Sequence, residues 1–143
     1  MSYDKLANSK TLKKTVAALA ERGHLPEIIQ TKEATLSRIK ELIPAGASVM
    51  NGSSRTLDEI GFVEYLKSGN HPWRNLHEEI LNESDEDKQA QLRKQSVLSD
   101  FYLGSAHAIA ETGEIVVASN SGSQIPHLTF TSPNIILVVG TQK

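Results

Sequence analysis

The chain has 143 residues, 38% hydrophobic and 22% charged, with a formal net charge of −2. That is the size of one domain with a single core, and the balance excludes a disordered chain or one built to neutralise a nucleic-acid backbone. The absence of cysteine excludes disulfides, a thiol nucleophile, cysteine-ligated zinc and an ordinary iron–sulfur cluster.

No run approaches the roughly 18 apolar residues of a membrane span, and "MSYDKLANSK" lacks the apolar core of a signal peptide. A cytoplasmic location is therefore expected. Lys and Arg are scattered among Asp and Glu, and three Phe, three Tyr and one Trp offer little for stacking bases.

The first third reads as helices, over residues 1–45. Leu12, Val16, Leu19 and Ala20 follow the helical period, and Gly23 is a natural stop. Pro26 suits the first turn of a second helix that buries Ile28, Ile29, Leu36, Ile39 and Ile43. Pro44-Ala45-Gly46 breaks it, and Ala47 to Met50 reads as a short strand that opens an α/β core over 46–143. "NGSSRT" then turns the chain into another helix.

The polar middle carries a helix expected from Asp85 to about Leu98, with Ser84 and Asp87 at capping-box spacing. Its apolar stripe is thin, so it is expected to be solvated or to pack on a partner. His71 and His77 lie near Glu78 and Glu79, but the spacing is no metal pattern, so no metal is expected.

After Asp100 the pattern changes to strands. "SAHAIAE" and "EIVVAS" flank Thr112-Gly113, "QIPHLTF" is ambiguous, and "NIILVVG" reads as a central strand buried on both faces. Helices and strands in this order predict an α/β domain with a mixed sheet and an internal hairpin. The chain stops at "GTQK" just after that strand, which predicts a truncated sheet or one completed by a partner, a second copy of the chain included.

A two-residue turn at Thr112-Gly113 would set Glu111 opposite Glu114 and demand a positive φ at a β-branched residue. The better fit is a three-residue loop with Gly113 left-handed in a bulge. Ile109 then pairs with Ile115, and Ala108 with Val116. Both faces are apolar, so the hairpin is expected inside the fold. His107 on one face and Glu111 in the turn are the candidate proton-transfer groups.

Two donor-rich turns are candidate ligand sites. Asn51, Gly52, Ser53, Ser54 and Thr56 run from a strand into a helix, where free N–H groups and hydroxyls suit an anion. Thr56 and Glu59 also match a capping box, which would explain the helix start alone. Asn120, Ser121, Gly122 and Ser123 form the second turn. If Met50 and Ala118 end parallel neighbouring strands, both turns face one crevice at the strands' carboxyl ends.

"VMNGSSRTLDEIGFVEYL" and the stretch from "SDFYLGSAHAIAETGEIVVASNSGSQIPH" to the last residue resemble the lactate-utilization (LUD) domain family, over roughly Ala47 to the C-terminus. The resemblance implies a Rossmann-like fold akin to the ribose-5-phosphate isomerase, glucosamine-phosphate deaminase and CoA-transferase group. It also implies a bacterial system oxidising lactate to pyruvate, in which a partner subunit carries iron–sulfur clusters. It supplies no catalytic residues, and it implies a further helix and strand beyond the point where this chain stops. The expectation is a cluster-free accessory subunit with no cofactor of its own. The alternative is an enzyme or binder for a carboxylate or phosphate, using Ser53, Ser54, Ser121 and Ser123, with His107 or Glu111 moving a proton.

Overall fold

The computed structural model describes residues 5–143. Helix α1 (Ser9–Glu21) starts where the Asn8 side chain accepts from the backbone N–H groups of Lys10 and Thr11. It stops just before Gly23, as expected.

Helix α2 (Lys32–Leu42) begins later than Pro26 suggests. Thr31 caps it by accepting from Ala34 N. The hydroxyl at Thr31 satisfies an orphan helix donor, which Pro26 cannot do. Residues 24–30 consequently fall outside the helix, and Ile28 is exposed rather than buried.

Four strands make one parallel sheet: β1 (Ser48–Asn51), β2 (Arg74–Asn75), β3 (Phe101–Gly104) and β6 (Asn134–Leu137), in the order β2-β1-β3-β6. The antiparallel pairing lies apart, in the hairpin of β4 (Ala108–Ile109) and β5 (Ile115–Val116). The chain is thus the expected Rossmann-like α/β fold, with its two kinds of pairing divided between two sheets. Helices α3 (Arg55–Glu59) and α4 (Phe62–Lys67) link β1 to β2. Helices α5 (Leu76–Asn82) and α6 (Glu86–Gln95), then a 3₁₀ turn (Ser96–Leu98), link β2 to β3. No residue of α6 is buried within the chain, in keeping with its thin apolar stripe; Asp85 rather than Ser84 caps it.

Alternation along the strands sorts the two faces of the sheet. Val49 and Leu103, both fully buried, face a core of Ile39, Ile43, Leu57, Phe62, Leu66 and Trp73. Burying a side chain of this size stabilises the fold by roughly 1.5–3 kcal/mol each. Trp73 keeps its indole N–H satisfied by donating to Ile43 O at 3.1 Å. Tyr102 points to the opposite face and lies against His127, in a π-helical turn (His127–Thr131).

Three expectations are corrected. The central position beside β1 belongs to β3, "FYLG", while the apolar run at β6 lies at an edge among the described residues and leaves Ile135 40% exposed. The hairpin has the expected register, with Gly113 at φ +88°, yet it is not internal. His107, Ala110, Val116 and Ala118 are exposed. Instead the hairpin leans on α1: a Cβ at Gly113 would sit 2.9 Å from Ala18 O, and Arg22 Nε donates to Thr112 O at 2.9 Å. Finally, Ala118 does not end a strand beside β1, because among the described residues β5 pairs only with β4.

Candidate functional site

The chain leaves β1 toward β2 on one side and leaves β3 toward β6 on the other. Adjacent parallel strands whose connections diverge in this way open a crevice at their carboxyl ends, where open α/β sheets hold ligands. Here those ends are Asn51-Gly52 and Gly104-Ser105.

Both strand ends carry glycine for a steric reason. The hydroxyl of Tyr102 folds up from the middle of β3 into the notch between them. A Cβ at Gly52 would collide with that hydroxyl and lie 3.0 Å from Gln124 Oε1. One at Gly104 would lie 3.2 Å from Tyr102 Cε1. The Tyr102 hydroxyl donates to Gln124 Oε1 at 3.0 Å. Burial pushes the phenol pKa up to about 12, so it stays a donor at neutral pH.

Beside the notch stands a cation with two hydroxyls. After β6 the backbone continues through Val138 N donating to Gly104 O, and Thr141 O accepts from Ala7 N. The chain then delivers Lys143, whose Nζ donates to Thr56 Oγ1 and to Ser105 Oγ, each at 3.1 Å. Thr56 is available for this because it does not cap α3. Ser54 does, accepting from Leu57 N, and Glu59 pairs with Arg55 instead of closing a capping box.

At the far side of β1, Asn51 is buried and its Oδ1 lies 3.3 Å from His77 Nδ1. A carboxamide oxygen only accepts, so Nδ1 carries the proton and the Nε2 lone pair is free to accept. Burial lowers the His77 pKa, with the charges of Arg93 and Lys67 adding to it, so the ring is neutral at pH 7.

The structure brings the two donor-rich turns together through one side chain, Gln124. The other residues of the second turn look outward: Asn120 is exposed, Ser121 and Ser123 bond to each other at 3.0 Å, and Gly122 has open space around it. Ser53 is also exposed. His107 Nδ1 accepts from Ala118 N within the hairpin, and Glu111 pairs with Lys14 of α1 at 2.9 Å. Tyr102, Ser105, Gln124, His127 and Lys143 were not singled out by the sequence. Only the Gly-Ser pair closing "FYLGS" resembles the Gly-Ser after β1 and could have pointed there.

A separate hollow of about 170 Å³, lined by Ser48, Arg74, Glu79, Ile80, Gln95 and Ser96 among others, lies where β1 begins. Its charged groups, Arg74 and Glu79, neutralise each other. The donors that converge without an ion pair among the described residues are at the crevice, around Lys143, Thr56 and Ser105, which is therefore the candidate site.

The model of the LUD domain family matches residues 12–143. The chain belongs to the LUD domain family. No curated protein and no solved structure matches it. LUD domains occur in lactate-utilization proteins, and this LUD domain has a Rossmann-like sheet with a donor-lined switch point. No helix among the described residues is long and apolar enough to cross a membrane.

Proposed function

We propose that this LUD domain serves lactate utilization as a subunit without an iron–sulfur cluster of its own, and that its crevice binds a small carboxylate. The carrying observation is the Lys143 ammonium held beside the Thr56 and Ser105 hydroxyls at the end of β3. A cation with neutral donors matches a carboxylate, and charge-assisted bonds are about twice as strong as neutral ones. The absence of cysteine supports the part of this reading in which a partner chain carries the cluster.

Titration of the protein with L-lactate, pyruvate and inorganic phosphate by calorimetry tests the reading. Carboxylate binding that disappears in Thr56→Val and Ser105→Ala supports it. Binding of phosphate alone would shift the reading to a phosphate-bearing ligand, and binding of none would remove it. Co-purification with a cluster-bearing chain, read by its visible absorbance, tests the subunit role separately.

A further inference from the structure

Four polar side chains pack together under the notch, all more than nine-tenths buried: Ser99 at 0% exposure, Tyr102 at 1%, His127 at 2% and Ser132 at 7%. His127 Nδ1 lies 2.7 Å from Ser132 Oγ and 3.4 Å from Ser99 Oγ, and the two hydroxyls are 3.2 Å apart. The imidazole is therefore fixed, and the Tyr102 ring is stacked on it. Tyr102 has no freedom to turn away from the notch.

Its hydroxyl, by contrast, is held by a single hydrogen bond among the described residues, to the neutral carboxamide of Gln124. Gln124 comes from a turn whose other side chains are largely exposed. A rigid buried donor thus meets a neutral, replaceable acceptor between two glycines at the ligand end of the sheet. A carboxylate oxygen is a stronger acceptor than a carboxamide oxygen. Exchange of one for the other keeps the buried hydroxyl satisfied and lets the Gln124 side chain swing into solvent.

We propose that Tyr102 is a ligand-binding residue of the crevice and that Gln124 is its placeholder, displaced when a small anion enters the notch between Gly52 and Gly104. The inference rests on the crevice reading above and adds to it the donor that the anion meets and the group it must evict.

Two substitutions have opposite signs. Tyr102→Phe keeps the ring stacked on His127 and removes only the donor, so affinity for L-lactate should fall about ten-fold or more. Gln124→Leu removes the competing acceptor, so affinity should rise, by about three-fold or more on the same scale. A purely structural role for the pair predicts that both weaken binding or that neither changes it. The experiment is calorimetric titration of wild type and both variants with L-lactate, with inorganic phosphate in a parallel arm to distinguish carboxylate from phosphate. Opposite shifts establish the exchange for whichever anion binds. If wild type binds and Thr56→Val abolishes it, while Tyr102→Phe and Gln124→Leu bind as wild type, the crevice stands and this inference is overturned. If wild type binds neither anion, both readings fall. Because Gln124 is on a surface turn, its variant reports even if Tyr102→Phe folds poorly, and unchanged or weaker binding there is sufficient to reject the placeholder.

Discussion

The imidazole of His127 lies on the phenol ring of Tyr102 with centroids 4.3 Å apart and planes inclined by 18°. One ring comes from the sheet and the other from the π-helical turn before β6. Burial lowers the His127 pKa from its ordinary value of 6.5, which links the stability of this face of the sheet to pH.

The sign follows from linkage. The unfolded chain takes up a proton near pH 6.5 while folded His127 does not, so stability falls as pH drops below that value and levels off once the folded pKa is passed. His77 is lowered too and acts in the same direction. The lowered carboxylates titrate below this window. Thermal unfolding midpoints should therefore decline from pH 7.5 to pH 5.0, and His127→Phe should flatten the decline to the part due to His77. An unchanged slope in that variant would rule out His127 as the source.

Gly52→Ala should destabilise the protein by about 1–3 kcal/mol, since the new methyl group meets the Tyr102 hydroxyl. Combining it with Tyr102→Phe removes the atom it strikes. Denaturant melts of the four-member cycle should show coupling of about 0.5 kcal/mol or more, with the double variant more stable than the sum of its parts. Strict additivity would mean that the notch is not where the strain arises.

The amino ends of β1 and β3 are tied by Asp100, whose carboxylate accepts from Ser48 N at 2.8 Å and from Ser48 Oγ at 2.7 Å. These two bonds hold its pKa below the usual range. Asp100→Ala should lower stability by about 1 kcal/mol in urea melts, the tie being solvent-exposed. The loss should shrink in Ser48→Ala, which has already removed one of the two bonds.

On the hairpin, Gly113→Ala should cost about 1 kcal/mol or more. It adds a side chain at positive φ and pushes it against Ala18 O and Arg22. Glu111→Gln, which breaks an exposed pair with Lys14, should leave the melting temperature unchanged within error. The reverse order would mean that charge, not fit, docks the hairpin on α1.

Local chemistry was legible in the sequence and long-range order was not. The hairpin register could be read because a β-branched residue and two opposed glutamates restrict the turn to one geometry. Strand β1 and the stop of α1 were marked by their flanking Gly and Pro. By contrast, "FYLG" has only three apolar residues, and nothing within it reveals that it lies in the middle of the sheet. The apolar run at β6 looked more central than it is, because hydrophobicity reports burial and not strand order. At the site, "SSRT" offers hydroxyls at two suitable capping positions. Local spacing cannot choose between Ser54 and Thr56 until Ser105 and Lys143 arrive from distant segments. The Tyr102–His127 stack likewise joins residues on separate elements, and no periodic pattern encodes it.

The floor and the roof of the notch belong to different clocks. Tyr102 is rooted in a sheet strand and wedged by a buried polar cluster, so its wall moves only when the sheet itself opens. Gln124 is half-buried on a surface turn whose neighbouring side chains are exposed, so its motion follows the turn rather than the sheet. A site assembled in this way can admit small molecules quickly without loosening the framework that recognises them. Its speed of access and its rigidity can therefore be altered independently, one through the turn and the other through the sheet.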